Sequence, residues 1–227
     1  MRGLFIAGTD TGCGKTTVGT VLARSARERG MRVRVLKPVE TGCVERDGQC
    51  VPEDAIQLAR AAADNRPLDQ ICPYRLRLAA APQVAAQHEN LTLEWARIEK
   101  AYREAASDAD LVLVESAGGL LVPLTPELDM TELARRLALP VLLVARARLG
   151  TLNHTLLSLE AARARDLRVV GVVVSHTTPD LPPAERVNLD LLLERLPVPC
   201  LGELPFAAQE LVPEAGLTAL LDALARA

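Results

Sequence analysis

Short runs of valine, leucine and isoleucine alternate along the chain with longer stretches in which alanine and leucine recur at helical spacing. Four of the short runs, Leu4-Phe5-Ile6-Ala7, Leu111-Val112-Leu113-Val114, Val141-Leu142-Leu143-Val144 and the stretch from Val169 to Val174, are continuously apolar rather than alternating. Such strands bury both faces, as in a parallel sheet covered by helices on each side. The pattern predicts strands over 2–7, 32–37, 110–115, 141–146, 168–174 and 199–204. It predicts helices over 14–29, 53–63, 92–106, 129–138, 153–166, 184–195 and 216–226. Strands and helices alternating at this spacing imply right-handed βαβ crossovers. The expected fold class is therefore α/β: three layers, with a mostly parallel sheet between helices on both faces. Residues 41–52 and 64–91 are the least regular, and loops beyond the carboxyl ends of strands are where open α/β folds carry their sites. No linker, repeat or low-complexity tract interrupts the pattern, so one domain over 1–227 is expected.

Composition narrows the function classes. Of 227 residues 49% are hydrophobic and 24% charged, enough apolar material for a core and too much for disorder. A net charge of −3 supplies no field to gather nucleic acid or an anionic membrane, so neither is an expected partner. No apolar run reaches the ~18 residues of a membrane span, and the N-terminal run is too short for a signal peptide and lacks a cleavage site. The five cysteines, at 13, 43, 50, 72 and 200, are odd in number and form no Cys-x-x-Cys pair, which argues against a disulfide framework or a zinc site. The expected location is cytoplasmic. The basic residues are more telling: three lysines, Lys15, Lys37 and Lys100, stand against 23 arginines. A chain that uses arginine almost everywhere invites the question of where it needs a compact ammonium, which the planar guanidinium cannot imitate.

Lys15 lies in Gly8-Thr9-Asp10-Thr11-Gly12-Cys13-Gly14-Lys15-Thr16-Thr17, between the first strand and the first helix. This is nearly the phosphate-binding loop of nucleotide hydrolases. The usual pattern has four residues between its first glycine and Gly-Lys-Thr; here five separate Gly8 from Gly14, so either the loop is one residue longer or Thr9 stands in for the glycine. Gly12 and Gly14 let backbone N–H groups turn inward around phosphate oxygens at the positive end of a helix. Lys15 can reach the β- and γ-phosphates, and the Thr16 hydroxyl can ligate Mg²⁺. Binding of a nucleoside triphosphate is the expectation.

Glu115 ends a hydrophobic strand, where P-loop proteins hold Mg²⁺ or its waters. Asp54 stands at a predicted helix start, where metal binding and simple helix capping are equally open readings. Lys37 ends the second strand and points into the same crevice as the loop. Two ammoniums there could neutralise a transferring phosphoryl group and an anionic acceptor.

Five motifs now stand in order: Gly8-Thr9-Asp10-Thr11-x-x-Gly14-Lys15-Thr16, Lys37-Pro38-Val39-x-Thr41-Gly42, Val114-Glu115-x-Ala117-Gly118-Gly119, Leu149-Gly150-x-x-Asn153-His154 and Leu201-Gly202-Glu203-Leu204-Pro205. Together they resemble the dethiobiotin synthetase family, which shares the lengthened loop and has the P-loop NTPase fold. The resemblance implies a Mg-ATP-dependent ring closure of 7,8-diaminopelargonic acid with CO₂, through a carbamate and a carbamic–phosphoric anhydride. It implies that Lys37, Lys15 and Thr11 act at the reacting groups and that Thr41 contacts the diamine or carbamate. Gly12, Cys13, Gly14, Lys15, Thr16 and Thr17, with Glu115, Ser116, Ala117 and Gly118, would line the nucleotide. Thr16, Asp54 and Glu115 would hold Mg²⁺. Ser175, His176, Leu204, Pro205 and Phe206 would lie toward the base. Gly150, Thr151, Leu152 and Asn153 would take the substrate carboxylate from across a homodimer, as a helix start can.

Two departures accompany the resemblance. The family often shows asparagine where this chain has Ser175, and a hydroxyl cannot read a base edge with donor and acceptor together. Ser116 replaces a common glycine and should stiffen its turn. Isolated His88, His154 and His176 are expected to be structural or solvated. A partner-switching ATPase would carry an early lysine in the loop, and Thr9-Asp10-Thr11 has none; a small-molecule kinase or amidoligase relative would lack the Lys37–Thr41 and Gly150–His154 motifs.

Overall fold

The computed structural model describes residues 3–207, 212–213, 219–222 and 224. In chain order its elements are β1 (Gly3–Gly8), α1 (Lys15–Glu28), β2 (Val33–Leu36), β3 (Val39–Thr41), β4 (Val44–Arg46), β5 (Gln49–Val51), α2 (Glu53–Ala62), α3 (Leu68–Ile71), β6 (Tyr74–Leu76) and α4 (Pro82–His88). There follow α5 (Trp95–Ala106), β7 (Leu111–Gly119), α6 (Met130–Arg136), β8 (Val141–Arg146), α7 (Thr151–Arg163), β9 (Val169–Ser175), α8 (Pro183–Arg195), β10 (Cys200–Leu204) and β11 (Val212–Pro213). All six predicted strands and the first six predicted helices form. Of the seventh, over 216–226, residues 219–222 and 224 are helical and the remainder lies outside the described residues, as does residue 2 of the first strand.

The main sheet runs β11-β10-β9-β8-β1-β7-β2. Every pair in it is parallel except β10 with β11. Side chains alternate between two cores, as the strand period of two requires. Leu4 and Ile6 of β1, Leu111 and Leu113 of β7, and Leu142 and Val144 of β8 pack on the side of α1 and α2. Phe5 and Ala7, Val112 and Val114, and Leu143 and Ala145 pack on the side of α4, α5, α6 and α7. Each fully buried leucine, isoleucine or phenylalanine contributes about 1.5–3 kcal/mol, which is why the stretches Leu4–Ala7, Leu111–Val114 and Val141–Ala145 are apolar on both faces. The central position of β1, between β7 and β8, is where the connections change direction across the sheet, and open α/β sheets bind ligands at that crevice.

The irregular stretches contain more structure than their pattern predicts. A two-strand parallel pair joins β3 to β6, Val39 opposite Tyr74 and Thr41 opposite Leu76. A hairpin joins β4 to β5 through Asp47 and Gly48, both at positive φ. Its strands are three residues long and too exposed for an apolar alternation, yet Asp-Gly is a hairpin signal that the periodicity alone passes over. The short helices α3 and α4 lack a full amphipathic repeat, although Pro82 at the first turn of α4 is a start signal. Strand β7 runs on through Ser116, Ala117 and Gly118 to Gly119, four residues past the predicted end, because its glycines hide a strand that pairs Gly119 with Gly8. Helix α5 starts at Trp95 rather than 92, and α7 at Thr151 rather than 153.

Strand β2 lies at the sheet edge, and a buried aspartate closes it. Asp64 Oδ2 accepts the Val35 N–H at 3.1 Å, and Arg66, bonded to the same carboxylate, donates to the Val35 carbonyl at 2.8 Å. Arg34 adds a third contact at 3.3 Å. The Val35 N–H and carbonyl, which an edge strand would otherwise offer to another chain, are thereby occupied. Burial pushes the Asp64 carboxyl up, but hydrogen bonds from Arg66 and Val35 outweigh it and hold it below the usual range.

Asp64→Ala should therefore cost about 3–5 kcal/mol, the scale of breaking a buried, hydrogen-bonded ion pair, read as a lower urea midpoint. The sign of the pH dependence follows: the folded carboxylate stays ionised where the unfolded one takes up protons. Its contribution is complete above the unfolded aspartate range near pH 3.9 and is lost as pH falls through the lower folded value. An unchanged midpoint in the variant would show that the edge is held by other means.

Candidate active site

A cleft of about 970 Å³ opens at the carboxyl ends of β1, β2, β7 and β9. Its floor is the loop that the sequence singles out. Gly12 and Gly14 adopt positive φ, 67° and 96°, and Gly14 caps α1. A methyl group on Gly14 would collide with Ser175 Oγ. The five-residue spacing is accommodated by folding the loop back onto Gly8, where an added Cβ would lie 2.6 Å from Cys13 Sγ and 2.9 Å from the Asp10 carbonyl. Gly8 is thus the loop's first glycine, and Cys13 turns its thiol into the core, away from the cleft. Lys15 is buried, and its Nζ donates to the Asp10 carbonyl at 3.0 Å.

The second lysine stands at the centre. Lys37 follows β2 directly and is 3% exposed. Its Nζ donates to Glu115 Oε1, to Asp54 Oδ2 at 3.2 Å and to the Ser116 carbonyl at 3.5 Å. Burial pulls its pKa down, but the charges of Glu115 and Asp54 outweigh that, so the pKa lies above the ordinary lysine value. Thr16 Oγ1 donates to the same Glu115 Oε1 at 3.0 Å. The other oxygen, Glu115 Oε2, is buried without a hydrogen-bond partner among the described residues. A buried carboxylate oxygen left bare costs free energy unless a cation or water completes it. With Asp54 and the Thr16 hydroxyl nearby, the donors are all hard oxygens, the set that suits Mg²⁺.

Glu40 is a cleft residue that motif reading passes over. It occupies the unassigned position between Lys37 and Thr41, is buried, and lines the cleft. Its two oxygens accept the N–H groups of Asp54 and Ala55, each at 3.0 Å. Burial pushes its carboxyl up to about 7, against those two N–H groups and the Lys37 charge. Cys43 and Cys72 are not activated nucleophiles: burial pushes the Cys43 thiol up to about 12 and the Cys72 thiol well above its ordinary value.

The structure brings together Thr11, Gly12, Gly14, Lys15, Thr16, Thr17, Lys37, Thr41, Asp54, Glu115, Ala117 and Gly118 around one opening. Ser175, His176, Leu204, Pro205 and Phe206 line its far end. There the His176 ring is held 2.7 Å from Glu203, itself bonded by Arg186. Ser116 is buried behind the wall, its hydroxyl donating to the Gly118 carbonyl at 3.3 Å. Gly150, Thr151, Leu152 and Asn153 are not on this cleft; they start α7, with Gly150 at φ 92°.

Comparison with known proteins places this geometry. A family model described as an AAA domain matches residues 2–214. The chain is 39% identical to the ATP-dependent dethiobiotin synthetase BioD of Thermodesulfovibrio yellowstonii, over 96% of this chain and 94% of the relative. It is 45% identical to the enzyme of the same name from Anaeromyxobacter dehalogenans, over 83% of this chain and 82% of that one. Among solved structures, the signal recognition particle receptor FtsY of Elizabethkingia anophelis in complex with GDP superposes with a TM-score of 0.53 at 20% identity. That match covers 100% of this chain and 64% of the solved one, so this chain spans less than two thirds of its length. The septum site-determining protein MinD of Pyrococcus horikoshii, complexed with Mg-ADP, gives 0.50 at 17% identity, over 90% of this chain and 81% of that one. These structural likenesses establish a shared fold.

Gly14→Ala should lower affinity for a triphosphate analogue at least tenfold in calorimetry. The left-handed backbone costs an L-residue about 1–2 kcal/mol, and the new methyl group must displace Ser175. Adding Ser175→Gly should recover only part of the loss, because the backbone term remains. Unchanged affinity in the single variant would mean that the loop cradles no phosphate.

Proposed function

This chain belongs to the ATP-dependent dethiobiotin synthetase family, and on that footing we propose that it closes the urea ring of dethiobiotin from 7,8-diaminopelargonic acid, CO₂ and ATP. The observation that carries the reading is the buried Lys37 ammonium, which shares a cleft with the phosphate loop and is held by carboxylates from β7 and α2. One amine of the diamine adds to CO₂ to give a carbamate. A carbamate oxygen attacks the γ-phosphorus of ATP and ADP leaves, giving a mixed carbamic–phosphoric anhydride. The second amine then attacks the carbamoyl carbon, phosphate departs with the C–O electron pair, and the ring closes.

Each step brings anions together, and the cleft supplies counter-charge for them. Lys15 steadies the β- and γ-phosphates, and Lys37 faces the carbamate and the transferred phosphoryl group, lowering the repulsion between them. Thr11 lies beside the reacting groups, and Thr41 orients the diamine. Backbone N–H groups from Gly12 to Thr17 cradle the triphosphate. Thr16, Asp54 and Glu115 would hold Mg²⁺, which supplies charge neutralisation and orientation of the γ-phosphate when bound. Ser175, His176, Leu204, Pro205 and Phe206 enclose the base. The Ser175 hydroxyl points at Gly14, so its side chain offers no amide-like edge to read adenine.

The far carboxylate of the substrate goes to the helix start Gly150–Asn153 of a second copy of the chain. That start lies off this cleft, and Leu149 and Leu157 beside it are 73% and 59% exposed, apolar surface suited to a homodimer contact. No described helix is long and apolar enough to cross a membrane.

Purified protein given the diamine, bicarbonate, Mg²⁺ and ATP should form dethiobiotin, detected by mass spectrometry, with phosphate release that depends on the diamine. Phosphate release indifferent to the diamine would contradict the reading and favour a switch ATPase. Lys37→Arg should bind nucleotide within about threefold of the unaltered protein while turnover falls at least a hundredfold, the scale of losing one preorganised donor, because the bulkier guanidinium keeps the charge but disperses and misplaces it. Near-normal turnover would show that no ammonium is needed there.

A further inference from the structure

Helix α2 begins without a cap of its own. The residue at its N-cap position is Pro52, which offers no side-chain acceptor, and no side-chain capping bond comes from it. Four N–H groups at a helix start need partners, and an Asp, Asn, Ser or Thr normally provides one. Here the acceptor comes from another element. Glu40, on β3, reaches across so that Oε1 takes the Asp54 N–H and Oε2 the Ala55 N–H, each at 3.0 Å. Both oxygens are therefore committed to α2, and the carboxylate also sits at the positive end of that helix.

The residue so held is Asp54, the second of the helix, whose side chain reaches Lys37 Nζ at 3.2 Å. Asp54 is half-exposed toward the cleft, with 42% of its side chain accessible, and among the described residues Lys37 is the side chain bonded to it. Its placement thus depends on where the first turn of α2 stands. Glu40 sits three residues after Lys37 and directly before Thr41, on a strand that is itself pinned by pairing with β6. The one carboxylate ties the segment carrying Lys37 and Thr41 to the helix carrying Asp54.

We propose that Glu40 is a positioning residue for the metal–nucleotide site: a cap supplied across the fold that fixes Asp54 where it can serve the cation, without itself touching substrate. This rests on the reading of Asp54 as a Mg²⁺ donor given above. It separates two roles that Asp54 left open in the sequence, because Glu40 does the capping and frees the Asp54 side chain for the cleft.

The test is calorimetric binding of a non-hydrolysable ATP analogue to the full chain over a range of Mg²⁺ concentrations. Glu40→Ala should raise the Mg²⁺ needed for half-maximal enhancement of binding about fivefold, the scale of one lost helix cap, while affinity at saturating Mg²⁺ stays within twofold. Glu40→Gln keeps one carbonyl acceptor and should fall between the two; it carries the comparison if the alanine variant does not fold. Asp129→Ala removes the cap of α6, where Asp129 accepts the Thr131 and Glu132 N–H groups away from this cleft, and should lower stability with no change in Mg²⁺ dependence. Asp54→Asn should raise the Mg²⁺ requirement at least as much as Glu40→Ala. If Asp54→Asn raises it and both Glu40 variants leave it unchanged, the positioning role is wrong and the metal reading stands. If Asp54→Asn leaves it unchanged, the metal reading fails and the Glu40 proposal falls with it.

Discussion

A lysine ammonium buried against two carboxylates organises this molecule. Removing Lys37 and Glu115 from water costs several kcal/mol per ion, and the cost is offset only when every partner is in place. The partners come from distant parts of the chain: Lys37 from the end of β2, Glu115 from β7, Asp54 from α2, and Thr16 from the first turn of α1. The sheet must therefore place β1, β7 and β2 side by side before the site exists. The parallel register of β2 with β7, Val35 opposite Leu113 and Leu36 opposite Val114, sets Lys37 and Glu115 next to each other just past the last paired residues.

The charge count explains why the arrangement suits chemistry on anions although it is rich in carboxylates. Glu40, Asp54 and Glu115 surround one ammonium, and a triphosphate entering that field would be repelled. A divalent cation held by Glu115 and Asp54, as proposed, would reverse the balance. The bare buried oxygen of Glu115 is the local sign that the set of charges is incomplete without a further partner. Lys15, tethered to the Asp10 carbonyl, is the second positive group available at the phosphate loop.

Much of this was legible in the sequence. The continuous apolar runs marked the buried strands because both of their faces meet helices, and the glycines of the loop marked a tight strand-to-helix turn because few other residues tolerate those backbone angles, with Lys15 opening the helix behind it. Glu115 and Lys37 could be read because strand ends in a parallel sheet converge on one crevice. Other features could not be read locally. Glu40 acts through α2, fourteen residues away, and nothing beside it in the chain announces a helix to be capped. The β3–β6 pair is a contact between two three-residue strands, too short for a period to show. Asp64 looks like a loop residue until the exposed ladder of β2 is seen beside it. The direction of Cys13, into the core rather than toward the nucleotide, follows from the extra residue of the loop, whose folding only the structure displays.

The scarcity of lysine makes the central claim directly measurable. With three lysines among 227 residues, a spectrum of protein labelled at the lysine side-chain nitrogen contains three ammonium signals, assignable by single Lys→Arg variants. Lys100 lies on the exposed face of α5, paired among the described residues with Glu104. Addition of a non-hydrolysable Mg-ATP analogue should shift the Lys15 and Lys37 signals and leave that of Lys100 in place. A shift at Lys15 alone would contradict the account, because it would leave Lys37 a structural ion pair with no part in meeting the phosphoryl group.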